Sequence, residues 1–280
     1  MPEIQTKNAI IPSEILKAYP ALDAWCILSG YRGSLAHGTH IPPEEELGTD
    51  DRDLIAVCVP PQSYYLGLEE FGSRGTQEIK TPDGWDIVIF ELKKFIRLLM
   101  DGNPNVLALL WLPDELYLST TDAGQKLMAS KSLFATKQAY RSFIGYAKNQ
   151  LHRMTHQAYQ GYMGEKRKRL VNRFGFDTKN ASHLIRILRM GVEFLATGEL
   201  LVRRPDADDL VAIKQGKWSL EQITQEASRL FCQAEQAYQT SSLPNEPDRK
   251  AIGELCQDII WERLLFGSGG LFVERNRRAI

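Results

Sequence analysis

The sequence lacks the features that would assign it to a membrane, disulfide-stabilised or zinc-binding class. Only four cysteines occur in 280 residues and no two of them form a CxxC pair, so neither a zinc knuckle nor a disulfide framework is indicated. The longest apolar runs, such as 105–112, are far shorter than the roughly 20 residues of a membrane-spanning helix. The N-terminus has no charged-then-apolar secretory pattern. We therefore expect reduced cysteines, no membrane partner and a cytoplasmic location.

Net charge is also small, but it is distributed unevenly along the chain. The 34 basic and 35 acidic side chains give a formal net charge of −1 at pH 7. Residues 1–136 carry 11 basic and 19 acidic side chains, residues 137–204 carry 14 and 4, and residues 205–280 carry 9 and 12. Only the middle segment, with a net charge of +10, is therefore suited to an anionic partner.

The pattern of apolar residues changes character along the chain. In the first third, short apolar runs separated by Gly, Pro and Asp predict strands joined by loops. The helical period begins near residue 93 and dominates after residue 121. The strand candidates are 24–28, 53–59 and 85–90, and the helix candidates are 93–100, 121–129, 137–158, 178–197, 206–215, 220–238 and 248–266. The predicted fold class is α+β, with a sheet-containing domain at 1–136 and an all-helical domain at 137–280.

A glycine-rich segment, Gly30–Thr39, follows the first strand candidate. Glycines such as Gly33 let the backbone approach a ligand closely, and free N–H groups next to Ser34 would suit phosphate oxygens. The segment has neither the Gly-Lys-Ser/Thr of a P-loop nor the spacing of a dinucleotide fingerprint. A phosphate-binding loop and a tight strand-to-helix turn therefore both remain open. His37 is a candidate contact to a phosphate or base, or a local cap.

Three aspartates mark the next two strand candidates. Asp51 and Asp53 are two positions apart, so within a strand they would project to the same face. Two carboxylates this close repel each other unless a cation lies between them, and oxygen-only ligands favour Mg²⁺ or Mn²⁺. Asp86 is an isolated acid early in an apolar strand. It either faces water at the strand end or joins the other two in a two-metal site.

Two basic clusters supply the charge of the middle segment. Lys179, His183 and Arg186 follow one another at spacings of four and three and share a helix face, with Arg189 near it. This stripe is suited to a triphosphate or a nucleic-acid backbone, although a solvated face has the same pattern. The second cluster is suited to single-stranded RNA, or is a basic loop between helices. Its members are Lys166, Arg167, Lys168, Arg169 and Arg173.

Several short motifs in a fixed order resemble the DNA polymerase β-like nucleotidyltransferase superfamily, and are most similar to its RNA repair pathway DNA polymerase beta family. In that family the first motifs read roughly Gly-Ser-Arg-Ala-Tyr-Gly and then Ser-Asp-Tyr-Asp-Leu or -Val. The motifs here are Gly33-Ser34, Asp51-x-Asp53, Asp86, and the stretches 91–95, 102–105, 175–186 and 198–200. Leu35 stands where the family commonly has Arg, and the acidic loop 39–49 is longer than usual.

The resemblance implies a mixed sheet that carries the three aspartates and a helical domain that closes over the nucleotide. It implies a nucleotidyltransferase in which a hydroxyl attacks the α-phosphate of an NTP and releases pyrophosphate. Asp51, Asp53 and Asp86 would hold Mg²⁺ or Mn²⁺, and Asp86 is also a candidate general base. The residues expected to contact the nucleotide are Gly33, Ser34, His37, Lys179, His183 and Arg186.

The acceptor is predicted to be an RNA end, in the repair or processing of tRNA-like molecules. The family's association with RNA repair and the basic middle segment both favour RNA. The same active site would also serve a protein or small-molecule hydroxyl, as in related transferases and toxins. A catalytically silent RNA-binding scaffold is the third alternative, and loss of an aspartate would have favoured it, but all three are present.

Overall fold

Five strands form the sheet of this protein, whose structure is a computed structural model that describes residues 13–155 and 165–266 apart from 43–47, 49 and 83. The strands are β1 (Cys26–Tyr31), β2 (Arg52–Cys58), β3 (Thr76–Lys80), β4 (Trp85–Glu91) and β5 (Tyr117–Thr120). The helices that precede or interrupt the sheet are α1 (Ser13–Ala18), α2 (Gly33–His37), α3 (Ser63–Leu66), α4 (Leu92–Met100) and α5 (Pro104–Leu110). Those that follow are α6 (Asp122–Ala129), α7 (Gln138–Thr155), α8 (Glu165–Phe174), α9 (Thr178–Thr197), α10 (Ala207–Lys214), α11 (Leu220–Thr240) and α12 (Arg249–Phe266).

The sheet is mixed, with the strand order β3-β4-β2-β1-β5. β2 and β4 are parallel, whereas β1 is antiparallel to both β2 and β5, and β3 is antiparallel to β4. The parallel register places Asp53 directly opposite Asp86. The expected α+β class is confirmed, since helices alone follow β5 in the described part of the chain.

Both faces of the sheet are buried, and the alternation along β2 assigns each side chain to one face. Leu54 and Ala56 belong to a small core that α1 and the turn at Pro20–Leu22 help to close. Ile55 and Val57 belong to the main core, beneath the helices. Because alternate residues of a strand share a face, Asp53 projects to the helical side of the sheet.

The main core passes through the predicted boundary at residue 136 without a break. It joins Ile27 of β1 to Leu184 of α9 and to Ile259 of α12 in one cluster of buried side chains. α12 returns to pack against α4 and α6. The helical part and the sheet therefore share one core. The division into 1–136 and 137–280 stays a prediction.

Local signals define α9, whose observed bounds are those that the sequence predicts. The carboxylate of Asp177 caps its start by accepting a hydrogen bond from the backbone N–H of Asn180. Gly198 ends it in the left-handed conformation at φ +74°. The basic run lies on α8, so the structure rules out the alternative of a basic loop between helices.

None of the described helices has the length and apolar character needed to cross a membrane. The four cysteines are free thiols, as predicted.

Candidate functional site

The glycine-rich segment passes directly over the end of β2. The backbone N–H of Arg32 donates to the carbonyl of Asp53 at 3.0 Å. Gly33 adopts φ +61°, and a Cβ built there would lie 2.1 Å from Oδ2 of Asp53. Ser34 is buried, and its Oγ lies 3.0 Å from Nδ1 of His40. Only glycine therefore fits at position 33, because the backbone there touches the Asp53 carboxylate.

The Gly33→Ala variant is expected to displace Asp53 and to lower stability by about 1–3 kcal/mol, since it combines a strained φ with a clash. Gly175→Ala is the matched control, because Gly175 has φ +81° but nothing within 4 Å of an added Cβ. Melting temperature and Mn²⁺ affinity of both variants measure the effect. Equal losses in the two variants would show that backbone strain alone, and not contact with Asp53, explains the glycine.

Two carboxylates lie side by side on the helical face of the sheet. Asp53 and Asp86 are opposite each other in the β2–β4 pair, and their side chains are 25% and 22% exposed. Burial raises the pKa of Asp53 to about 6; Arg32 opposes this rise and the charge of Asp86 adds to it. Asp51 precedes β2 and is exposed, and its charge also acts on Asp53. The structure thus brings Asp53 and Asp86 together, with Asp51 at the rim.

Arg32 is a charged partner of both carboxylates that sequence reasoning missed. Its Nη2 lies 2.9 Å from Oδ1 of Asp86 and 3.5 Å from Oδ1 of Asp53. Lys80 adds a second cation, with its Nζ 3.4 Å from Oδ2 of Asp86. Adjacency to Gly33 was the one signal in the sequence that pointed to Arg32.

The donor chemistry of this carboxylate pair fits a divalent cation. Two neighbouring carboxylates repel each other, and burial, to which the charge of Asp86 adds, raises the pKa of Asp53 to about 6. Carboxylate oxygens are the ligands that Mg²⁺ and Mn²⁺ prefer. Within the described residues no three His, Cys, Asp or Glu side chains gather closely enough to hold a metal ion. Asp53 and Asp86 would therefore supply two ligands to an ion, and Asp51, at the rim, stays a predicted third ligand.

A buried ion-pair cluster, which we call the Asp50 clamp, fixes the chain just before β2. It consists of Asp50, Lys179 and Lys214, with Nζ of Lys179 3.0 Å from Oδ1 of Asp50 and Nζ of Lys214 2.8 Å from Oδ2. Lys214 also donates to the carbonyl of Thr39, and the backbone N–H of Ile41 donates to Asp50. The start of α9 and the end of α10 are thereby bound to the base of the acidic loop.

The two lysines of the clamp share one carboxylate, and this shapes the pKa values of the cluster. Burial alone would raise the pKa of Asp50, but the charges of Lys214 and Lys179 outweigh it and the pKa lies below its usual value. Burial lowers the pKa of Lys214, and attraction to Asp50 only partly offsets that effect. Asp50 is therefore ionised at neutral pH, and its charge stabilises the buried charges of Lys179 and Lys214.

A segment from the helical part, Val202–Arg204, forms hydrogen bonds with α2. His37 donates from Nδ1 to the carbonyl of Val202 at 2.9 Å, and Arg203 donates to the carbonyl of Leu35 at 3.2 Å. The backbone N–H of Arg204 donates to the carbonyl of His37. His37 is 5% exposed, and burial followed by the charge of Arg186 lowers its pKa well below the usual value. This placement favours the local structural alternative for His37 and a neutral ring.

The predicted stripe on α9 separates into three environments. Lys179 belongs to the Asp50 clamp, whereas His183 and Arg186 line a cavity next to α7. Arg189 lies outside that cavity and is paired with Asp206, Asp209 and Glu226. The helical spacing thus identified a cationic helix, but carboxylates of α10 and α11 and the turn at Asp206 neutralise Arg189.

The second basic cluster lies along α8, away from the carboxylate pair in sequence. Arg169 and Arg173 are exposed, and the Arg173 guanidinium lies 5.4 Å from the ring centroid of Phe174. The side chains of Lys166 and Arg167 fall outside the described residues. Lys168 is half-buried. The cluster therefore presents basic side chains on a helix.

Comparison with known proteins gives a family for the chain. The profile of the RNA repair pathway DNA polymerase beta family matches residues 23–258. An uncharacterized 38.9 kDa protein from the nrdC-mobD intergenic region of Enterobacteria phage T4 is 29% identical over 131 residues. That alignment covers 44% of this chain and only 37% of the phage protein.

Two solved structures are also similar to this chain, at low identity. One is a nucleotidyltransferase-like protein from Exiguobacterium sibiricum, with 12% identity, a TM-score of 0.30, and coverage of 96% of this chain and 79% of that one. The other is the CD-NTase CdnG of Bradyrhizobium diazoefficiens, solved in complex with GTP. It has 14% identity, a TM-score of 0.20, and coverage of 95% and 90% of the two chains.

Proposed function

Because this chain belongs to the RNA repair pathway DNA polymerase beta family, we propose that it is a nucleotidyltransferase and that it transfers an NMP from an NTP to a hydroxyl at an RNA end. The observation that carries the proposal is the pairing of Asp53 and Asp86 across β2 and β4, with Gly33 in contact with Asp53. The reaction is Mg²⁺- or Mn²⁺-dependent and takes place in the cytoplasm.

In the proposed reaction the acceptor hydroxyl oxygen attacks the α-phosphorus of the NTP. A new O–P bond forms, the bond between the α-phosphorus and the bridging oxygen breaks, and pyrophosphate leaves. Asp86 takes the hydroxyl proton, and Asp53 lies beside it to hold the ion. A divalent cation bound there supplies charge neutralisation for the phosphoryl group and lowers the pKa of the hydroxyl.

The proposed nucleotide site lies where the sheet meets the helical part. Gly33 and Ser34 place backbone next to the carboxylates, and the Asp50 clamp holds Lys179 at the same end of β2. His183 and Arg186 follow on α9. This common location supports a role for these residues in positioning the NTP, whereas His37, buried and bonded to the carbonyl of Val202, fixes the end of α2.

The RNA acceptor is proposed from the family description and from charge. The middle segment carries a net charge of +10, and phosphate contacts from Lys and Arg dominate affinity for nucleic acid. On α8, the proposed RNA contacts are Lys166, Arg167, Lys168, Arg169 and Arg173. Repair or processing of tRNA-like molecules is the role that this combination favours.

The test is incubation with each α-labelled NTP, Mg²⁺ or Mn²⁺, and separated RNA and protein fractions. Label is expected in the RNA fraction with the native protein, and in no fraction with the Asp51→Ala/Asp53→Ala variant or after EDTA treatment. Label in protein alone would contradict the RNA acceptor. Equal labelling by the two proteins, or labelling by neither, would contradict the proposed chemistry.

Arg32 and the metal ion are expected to compete for the same carboxylate oxygens. The Arg32→Gln variant should therefore bind Mn²⁺ about tenfold more tightly than the native protein in the absence of nucleotide, a change of about 1.4 kcal/mol. In EDTA the same variant should melt at a lower temperature, because Asp53 and Asp86 then lack their cation. Titration calorimetry measures the first effect, and Arg74→Gln, at an exposed site on another loop, is the control. Unchanged Mn²⁺ affinity would contradict the competition.

A further inference from the structure

A cavity of about 240 Å³ lies between α5, α7 and α9. Its walls include Tyr146, Gln150 and Arg153 from α7 and Asn180, His183 and Arg186 from α9. Among the described residues that line it there is no acidic side chain. Since a water molecule takes up about 30 Å³ of liquid, the space would hold about eight waters or a sugar phosphate of similar size.

Arg186 is a buried cation that forms no ion pair with the described acidic side chains. The residue is 5% exposed, and the hydrogen-bond acceptor of its Nη1 is the sulfur of Met190, at 3.2 Å. Burial, followed by the charge of Arg204, lowers the pKa of Arg186 to about 9, and the charge of Asp206 opposes this shift. The guanidinium is therefore charged at neutral pH and has no direct carboxylate partner among the described residues.

Arg204 is a second buried arginine, and unlike Arg186 it has carboxylate partners. It is also 5% exposed, but it is paired with Glu193 and Asp206. Burial would lower its pKa, yet hydrogen bonds to those two carboxylates outweigh that effect and raise it. A buried charge without a direct partner is costly, so the lack of a carboxylate against Arg186 among the described residues favours an anionic ligand.

Gln150 adds a second unmet requirement in the same cavity. Its Oε1 is enclosed and accepts no hydrogen bond. An anion such as sulfate, which carries no proton at neutral pH, would satisfy Arg186 but could not donate to this oxygen. The ligand that meets both requirements carries an anionic group and a hydroxyl within a few ångströms of each other.

We propose that this cavity binds a ribonucleotide phosphate, with the phosphate on Arg186 and Arg153 and a ribose hydroxyl donating to Gln150. A ribose 2′-hydroxyl can donate to a carboxamide oxygen and distinguishes RNA from DNA. The choice of a nucleotide as ligand rests on the proposed function. The cavity lies close enough to α2 for the charge of Arg186 to act on His37.

The ribonucleotide has two possible sources, the NTP and the RNA acceptor, and both present the same chemistry. The test measures binding in EDTA, where no transfer occurs. The probes are AMP, 2′-deoxy-AMP, ATP, inorganic phosphate, and single-stranded RNA and DNA oligonucleotides of one sequence. The native protein is expected to prefer each ribose ligand to its 2′-deoxy counterpart by about tenfold, the size of one hydrogen bond.

Two substitutions separate the phosphate contact from the hydroxyl contact. Arg186→Met is expected to weaken AMP and 2′-deoxy-AMP binding alike, by at least about tenfold. Gln150→Met should weaken AMP alone and so abolish the ribose preference. Arg153→Met, at an exposed wall residue, serves as a second phosphate variant should Arg186→Met fold poorly. Arg141→Met is the control on α7, because Arg141 is exposed and does not line the cavity.

The outcomes also assign the source of the ligand. If Arg186→Met weakens binding of the RNA oligonucleotide but not of ATP, the cavity holds the acceptor. If it weakens binding of ATP but not of the RNA oligonucleotide, the cavity holds the NTP. Affinities that do not respond to Arg186→Met or Arg153→Met, or inorganic phosphate binding as tightly as AMP, would overturn the inference. If the protein binds ribose ligands selectively but transfers no label, the proposed reaction is wrong and the subsite stands. If it transfers label but does not bind ribose ligands selectively, the subsite is wrong and the proposed reaction stands.

Discussion

The Asp53→Asn and Asp86→Asn variants are each expected to lower nucleotide transfer by at least about a thousandfold. Loss of a metal ligand removes several kcal/mol of transition-state stabilisation, and each 1.36 kcal/mol corresponds to a factor of ten in rate. Asp53 and Asp86 are adjacent and on the same face of the sheet, so neither can replace the other without moving a strand. Initial rates of pyrophosphate release at saturating Mg²⁺ measure the loss.

The same substitutions are expected to leave the metal-free protein as stable as before, or more stable. An amide of equal shape removes the repulsion between two partly buried carboxylates that share Arg32 as a partner. Glu78→Gln is the control, because Glu78 is an exposed acid on the neighbouring β3. A lower melting temperature in EDTA together with lost activity would indicate that the carboxylates support the fold rather than the reaction.

The Asp50→Ala variant is expected to lose more stability than any other substitution of a single acidic residue in this protein. Asp50→Ala leaves Lys179 and Lys214 with no carboxylate between them, and removing one partner of a buried ion pair costs about 3–5 kcal/mol. For a chain of 280 residues that loss corresponds to a fall in melting temperature of about 5–9 °C. Differential scanning calorimetry in EDTA measures it without any contribution from metal binding.

Two further variants test whether the clamp acts through charge. Glu254→Ala removes an exposed i,i+4 partner of Lys250, 4.0 Å away, and should change stability by less than about 1 kcal/mol. Lys214→Met should cost less than Asp50→Ala, because Asp50 keeps Lys179. If Lys214→Met costs as much as Asp50→Ala, the two lysines do not share the carboxylate as the distances indicate.

The strands that carry the carboxylates were predictable because their signals are local. β2 and β4 are short apolar runs bounded by Asp, Gly and Pro, and the observed bounds Arg52–Cys58 and Trp85–Glu91 differ from the predicted ones by a single residue. β1 extends to Tyr31, three residues beyond its prediction, because Ser29, Gly30 and Tyr31 pair with β2 although Gly30 is a poor strand former.

The adjacency of Asp53 and Asp86 required information that no short stretch of sequence holds. It depends on a parallel pairing between strands that are separated by α3 and β3. β3 itself was missed, since its edge position leaves polar and charged side chains exposed and weakens the apolar pattern. β5 is another edge strand with two exposed residues, and it was missed for the same reason.

The partners of charged residues were the least predictable part of the site. Asp50 reaches Lys214 across 164 positions, and nothing near Asp50 in the sequence distinguishes it from Asp51. Helical spacing placed Lys179, His183, Arg186 and Arg189 near one face, but it gives no information about what that face meets. Tertiary packing then gave carboxylates to Lys179 and Arg189 and left Arg186 without one.

The Asp50 clamp fixes both ends of the acidic loop, so the length of the loop between them can change. One lysine, Lys214, holds the carbonyl of Thr39 at the entrance of the loop and the carboxylate of Asp50 at its exit. Residues added or removed between those anchor points therefore change the length of a closed ring without pulling on Asp51 and Asp53 just beyond it. A change in the length of this loop is therefore expected to leave the geometry of the carboxylate pair intact.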